Sequence, residues 1–138
     1  MIAILSIKTK YVEEILKGNK RYEFRKKRFK KNVEEVLVYA TKPIGKIVCK
    51  FNVGEIIEDK PEVLWETVRR FSGLTEREFF AYFQDSEKGV AIEIRNLEKF
   101  SRPVDPKIIY PNFIPPQSWI YVSSVEDLLN SYLGGENG

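Results

Sequence analysis

The run GNKRYEFR, Gly18 to Arg25, brings two cations and one carboxylate together at Lys20, Glu23 and Arg25. Residues two apart on a strand share a face, so Glu23 and Arg25 lie on one side and Tyr22 and Phe24 on the other. Gly18 lets the chain leave a preceding helix at positive φ, which delivers Lys20 to the mouth of the strand. Glu23 orients Arg25 by charge-assisted hydrogen bonds, leaving Arg25 and Lys20 to face a phosphate or a base edge while the aromatics anchor the strand. The same spacing also describes a solvated surface pair, worth at most about 1 kcal/mol. In a partly dry cleft, Lys20 beside Arg25 would have a depressed pKa and act as base or nucleophile, with Glu23 shuttling a proton. Thr41 and Ser118 would then supply hydroxyls to a developing oxyanion. Binding needs fewer coincidences: Lys20 and Arg25 on phosphate, Tyr22 stacking if exposed, and Gln117 with Ser118 reading a flipped base edge.

Charge is distributed unevenly around this run. Lys17 to Lys31 holds nine Lys or Arg and one acid, whereas the rest of the chain holds 14 basic and 19 acidic residues. A focused positive field of this kind suits a polyanion, with Lys26, Lys27, Arg28, Lys30 and Lys31 as phosphate contacts; it equally suits a soluble tract that protects a strand edge. The chain has no histidine, which excludes a Ser-His-Asp triad, a Cys-His pair and His-bound zinc. Cys49 is the single cysteine and falls in phase with Ile47, Phe51 and Val53, as a small buried hydrophobe would. No cofactor or metal is expected. The N-terminal apolar run is too short and too soon charged for a signal peptide or membrane span, so a cytoplasmic protein without a membrane partner is expected.

The elements that must hold these residues follow from periodicity. Ile2 to Ile7 reads as a strand, Thr9 as the N-cap of a helix ending at Gly18, and KRYEFRKKR, EEVLVYAT and GKIVCKFNVGEIIE as three strands, successive and so antiparallel. PEVLWETVRRFSG and LTEREFFAYFQ read as helices, the second opened by a Thr75/Glu78 capping box and carrying a Phe79, Phe80 and Phe83 stripe. That stripe is core, unless it serves as a docking face. Trp65 and Trp119 sit in apolar periodic contexts that favour core or cleft wall over base stacking. KGVAIEIRNLEKF alternates as a strand, with Val90, Ile92 and Ile94 on one face. RPVDPKIIYPNFIPP carries five of the seven prolines and reads as an extended loop, its Tyr110 a cleft-rim candidate and its role open. A strand at QSWIYVS and a Ser124-capped helix follow. A chain of 138 residues supports one core, hence one domain over residues 1–135 and a frayed tail at 136–138; the oligomeric state is open, with a monomer favoured.

The spacing Gly18-x-Lys20-x-x-Glu23-x-Arg25 after a strand and short helix, with VYATKP, VGEIIED, KGVAIEI and PPQSWIYV later on, resembles the ASCH domain, a branch of the PUA-like β-barrels. The resemblance spans nearly the whole chain. It implies an α+β fold, a small mixed or antiparallel barrel of about six strands with inserted helices, and a cleft floored by the motif. It also implies RNA or a modified nucleoside as ligand, in RNA metabolism or in translation or transcription regulation. Some members are hydrolases: one branch removes the acetyl group from acetylated cytidine, and another is ribonuclease-like. In the first, a threonine stands three residues after the lysine; here that place is Glu23, so its chemistry does not carry over directly.

Overall fold

Residues 1–109 and 111–122 are described by the structure, a computed structural model. The proposed rim residue Tyr110, the Ser124-capped helix and the 136–138 tail lie outside them. Strands β1 (Ile2–Ile7), β2 (Tyr22–Arg25), β3 (Glu35–Ala40), β4 (Lys46–Asp59), β5 (Gly89–Val104) and β6 (Trp119–Val122) form one mixed sheet. Its order is β2-β5-β4-β3-β1-β6, with β1 and β3 parallel and the other neighbours antiparallel. The long strands β4 and β5 pair through three register shifts, and such irregularities bend a sheet. The result is an α+β half-barrel.

Burial follows alternation. On β1, Ala3, Leu5 and Ile7 enter one core with Val36, Val38, Phe51, Val90 and Ile92; Ile4 enters a second with Leu37, Tyr39, Ile47 and Phe113. Strands covered on both faces read as nearly continuous apolar runs, as IAILSI and EVLVYA do. A third core lies beneath α2 (Pro61–Val68) and α3 (Glu76–Tyr82), where Phe24 and Ala91 meet Leu64, Trp65, Phe79 and Phe83. Phe79 and Phe83 are 0% and 2% exposed and Phe80 packs partly buried against the same cluster, so the stripe belongs mainly to the core. The Thr75/Glu78 capping box forms as expected. Cys49 is fully buried, which pushes its thiol up to about 12.

Several expectations are corrected. Strand β2 does not pair with β3: it ends at Arg25, and the long polar loop that follows frees it to pair with β5. The N-cap of α1 (Thr9–Lys17) is Lys8, without a side-chain cap; Thr9 Oγ1 instead donates to the Thr41 carbonyl at 3.2 Å. The proline-rich segment is not wholly an extended loop, since β5 continues through Pro103 to Val104 as a paired strand and Pro106–Ile109 forms a helical turn, α4. Proline sits well in a first helical turn, where its missing N–H has no partner to lose.

Candidate functional site

Lys20 sits between α1 and β2 because backbone groups fix it there. Gly18 turns left-handed with φ 84°, Lys20 N–H donates to the Glu14 carbonyl at 3.1 Å, and Arg21 N–H donates to the Phe71 carbonyl at 2.7 Å. On β2, Glu23 and Arg25 register with Ile92 and Val90 of β5, while Phe24 registers with Ala91. The charges therefore share the face of the first apolar core, and Phe24 joins the third. The expected alternation holds, but the charges do not look out to solvent. Lys20, Glu23 and Arg25 are 2%, 6% and 9% exposed.

They form one continuous network. Lys20 Nζ pairs with Glu23 Oε1 at 3.6 Å and donates to the Ser72 carbonyl at 3.2 Å. It also sits 4.3 Å from the centre of the Phe24 ring and 5.7 Å from that of Tyr11. Arg25 Nη2 donates to Glu23 Oε2 at 2.7 Å and to the Ser6 carbonyl at 3.1 Å; its Nη1 donates to Ser118 Oγ at 3.0 Å. Two buried cations share one carboxylate, so the network carries excess positive charge. Loss of hydration lowers the Lys20 pKa from 10.5 to about 8, with the attraction of Glu23 opposing that shift and Arg25 reinforcing it.

Arg25 has a second role. Strands β2 and β6 are the two ends of the sheet order, yet this side chain runs from β2 to β1 and to Ser118, the residue before β6. It clasps the open seam of the half-barrel. Its Nε is buried with no hydrogen-bond partner among the described residues.

The network floors a cavity of about 320 Å³ whose walls include Ser6, Lys8, Tyr11, Leu74, Tyr82 and Gln117. Of the sequence candidates, Lys20, Glu23, Arg25, Gln117 and Ser118 converge there. Thr41 does not: it lines an adjoining cavity of about 470 Å³, and neither Thr41 nor Ser118 lies in a strand. Tyr22 lines neither cavity, because the alternation that brings Glu23 inward turns it toward the helical core. Lys26, Lys27, Arg28, Lys30 and Lys31 are exposed beyond the end of β2, with Lys26 Nζ 5.2 Å from the ring of the wall residue Tyr82. Trp65 is core; Trp119 is half-buried against Phe29. Sequence reasoning missed Ser6, Lys8, Tyr11 and Tyr82. Ser6 alone carried a signal, as the polar break in an apolar strand.

Chemically, the site offers a cation of weakened basicity beside a carboxylate, over an apolar ring and under a rim of hydroxyl, amide and ammonium groups. The described residues hold no cluster of His, Cys, Asp and Glu fit for a metal ion, and none of their helices is long and apolar enough to cross a membrane.

Comparison with known proteins agrees with this architecture. The chain is similar to the ASCH domain-containing ribonuclease of Zymomonas mobilis, 27% identical over 134 residues that cover 93% of this chain and 90% of that protein. The crystal structure of ASCH from Zymomonas mobilis superposes with a TM-score of 0.86 at 26% identity, covering 96% of this chain and 94% of that one. The N-terminal domain of Staphylothermus marinus McrB shares the fold, with a TM-score of 0.59 at 10% identity over 91% of this chain and 90% of that one. A model of the ASCH domain matches residues 5–110, and the chain belongs to that family, within the PUA-like superfamily.

Proposed function

We propose that this protein binds single-stranded RNA, taking one nucleotide into the cavity over Lys20, Glu23 and Arg25. The observation that carries this reading is the buried network of two cations and one carboxylate at the floor of a cavity near an exposed Lys/Arg tract. Buried excess charge is costly and calls for an anion. A phosphate supplies one, while Gln117 and the apolar wall residues suit a splayed base. The tract from Lys26 to Lys31 holds the flanking phosphates. The likeness to a ribonuclease along nearly the full length of both chains supports RNA as the ligand class.

A second reading, cleavage of the bound RNA, is favoured by the Lys20 pKa of about 8, which makes part of the population a neutral amine near neutral pH. In that step the 2′-oxygen bonds to phosphorus as the bond to the 5′-oxygen breaks. The 2′ proton passes to Lys20, and the departing 5′-oxygen takes a proton from water at the open mouth. The ratio kcat/KM, which reports the free protein, then rises with pH through about 8 as the amine loses its proton.

Fluorescence anisotropy with a labelled single-stranded RNA at low salt tests binding. Lys20→Ala is expected to weaken affinity about tenfold or more, the scale for a lost charge-assisted contact. Wild-type protein that does not bind, or a variant that binds equally well, contradicts the proposal. Gel analysis of the same RNA reads out cleavage.

A further inference from the structure

Next to the first cavity, across a wall formed by Ser6, Lys8 and Gln117, lies the larger one of about 470 Å³. These three residues line both, so the cavities are neighbouring compartments of one cleft. Both volumes fall in the range of small-molecule sites, about 300–1,000 Å³. The second compartment is lined by Tyr39, Thr41, Lys42 and the pair Pro115 and Pro116.

Tyr39 is the unusual member. It is 94% buried, being 6% exposed, and its ring is held by Phe113 at 5.5 Å between centres. Its ring is buried, but its hydroxyl is not one of the buried side-chain atoms left without a partner, and no hydrogen bond to it is found among the described residues. Placed in the lining of an open compartment, that group is an unused donor and acceptor. Thr41 is half-buried, and although its backbone N–H and carbonyl are taken by Ile7 and Thr9, no hydrogen bond occupies its side chain among the described residues. Beyond the shared partition of Ser6, Lys8 and Gln117, the walls are therefore apolar proline surface, a tyrosine hydroxyl, a threonine hydroxyl and an exposed cation, Lys42. Such a lining suits a sugar and base better than a second phosphate.

We infer that the second compartment is a subsite for the adjacent nucleotide of the same RNA strand, so the unit recognised is a dinucleotide whose linking phosphate lies at the Ser6, Lys8 and Gln117 partition. This rests on the RNA reading of the first cavity. Tyr39 and Thr41 contact the second sugar or base, Lys8 neutralises the linking phosphate, and Gln117 serves both sides. Loss of one uncharged hydrogen bond reduces affinity roughly threefold to tenfold.

The test compares calorimetric binding of uridine 3′-monophosphate, a UpUp dinucleotide that keeps the 3′-phosphate for Lys20 and is blocked by a 2′-O-methyl group at the linkage, and a ten-nucleotide RNA. Tyr39→Phe and Thr41→Val keep the shape and remove only the hydroxyls. The dinucleotide is expected to bind at least about tenfold tighter than the mononucleotide. Each variant should cut that advantage roughly threefold or more, while Lys20→Ala weakens both ligands. Binding of the ten-nucleotide RNA without a dinucleotide preference, or a preference unchanged in both variants, overturns the subsite and leaves the RNA reading standing. No binding of the ten-nucleotide RNA overturns both.

Discussion

At the scale of single residues, Lys20 is the group the fold supports at a cost. Its side chain is 2% exposed, and one 3.6 Å ion pair with one carbonyl does not replace the hydration of its ammonium. Gly73, at φ +70°, is required beside it, since a Cβ there would overlap the Lys20 stem. The unfolded chain holds the Lys20 proton up to about its ordinary 10.5, whereas the folded chain releases it near 8. The destabilisation is therefore complete below pH 8 and is relieved as pH rises toward 10.5. Lys20→Met should match or exceed wild-type stability at pH 7, by on the order of 1–3 kcal/mol, with Glu23 still paired to Arg25. Urea unfolding of both proteins between pH 7 and 10.5 should show the difference shrinking as pH rises; a variant less stable by more than about 1 kcal/mol at pH 7 contradicts this. The motif itself was legible in GNKRYEFR, because strand alternation dictates which residues share a face. Its burial was not, since that depends on β5, some 65 residues further on, supplying Val90 and Ile92 on the same side.

At the scale of elements, Arg25 connects what backbone pairing leaves apart. Strands β2 and β6 have no ladder between them, and the guanidinium joins β2 to Ser6 on β1 and to Ser118. A lysine has neither the planar fork nor the set of donors to reproduce this. Arg25→Lys should therefore cost up to about 3–5 kcal/mol, the scale for breaking a buried charged network, despite the retained charge. Amide hydrogen exchange should show the larger loss of protection in β6, which holds to the sheet by four residues. A variant unchanged in both stability and β6 exchange would remove the clasp. Element types were largely readable: the capping box, the Gly18 stop and the alternation in β5 appear as expected. Partners were not. Adjacent segments suggested a β2–β3 hairpin, but nothing in the 26–34 stretch specifies a tight turn, and an open loop lets β2 pair at long range.

At the scale of the whole molecule, charge and cavity divide the labour. On the proposed reading, the exposed Lys26 to Lys31 tract takes flanking phosphates while the two compartments take the nucleotides. Replacing Lys26, Lys27, Arg28, Lys30 and Lys31 by Gln should weaken RNA affinity and flatten its salt dependence. For a single strand the log–log slope falls by about 0.7 for each phosphate contact removed. An unchanged slope, measured between about 50 and 200 mM salt, would assign the tract to solubility alone. The α+β half-barrel was legible because the motif and the later segments agree over most of the chain. The division of its cleft was not, because Ser6, Lys8, Thr41 and Gln117 meet only once β1 lies against β3 and β6.

One group joins fold, charge and ligand, and its proton can be followed directly. Lysine ε-carbon NMR, with Lys20 assigned by its loss in Lys20→Met, should give a pKa of about 8 in the free protein. Adding single-stranded RNA should raise it, because a bound phosphate favours the charged ammonium. A Lys20 pKa at the ordinary 10.5, or one that does not move with saturating RNA, would contradict the assignment of this cavity to RNA.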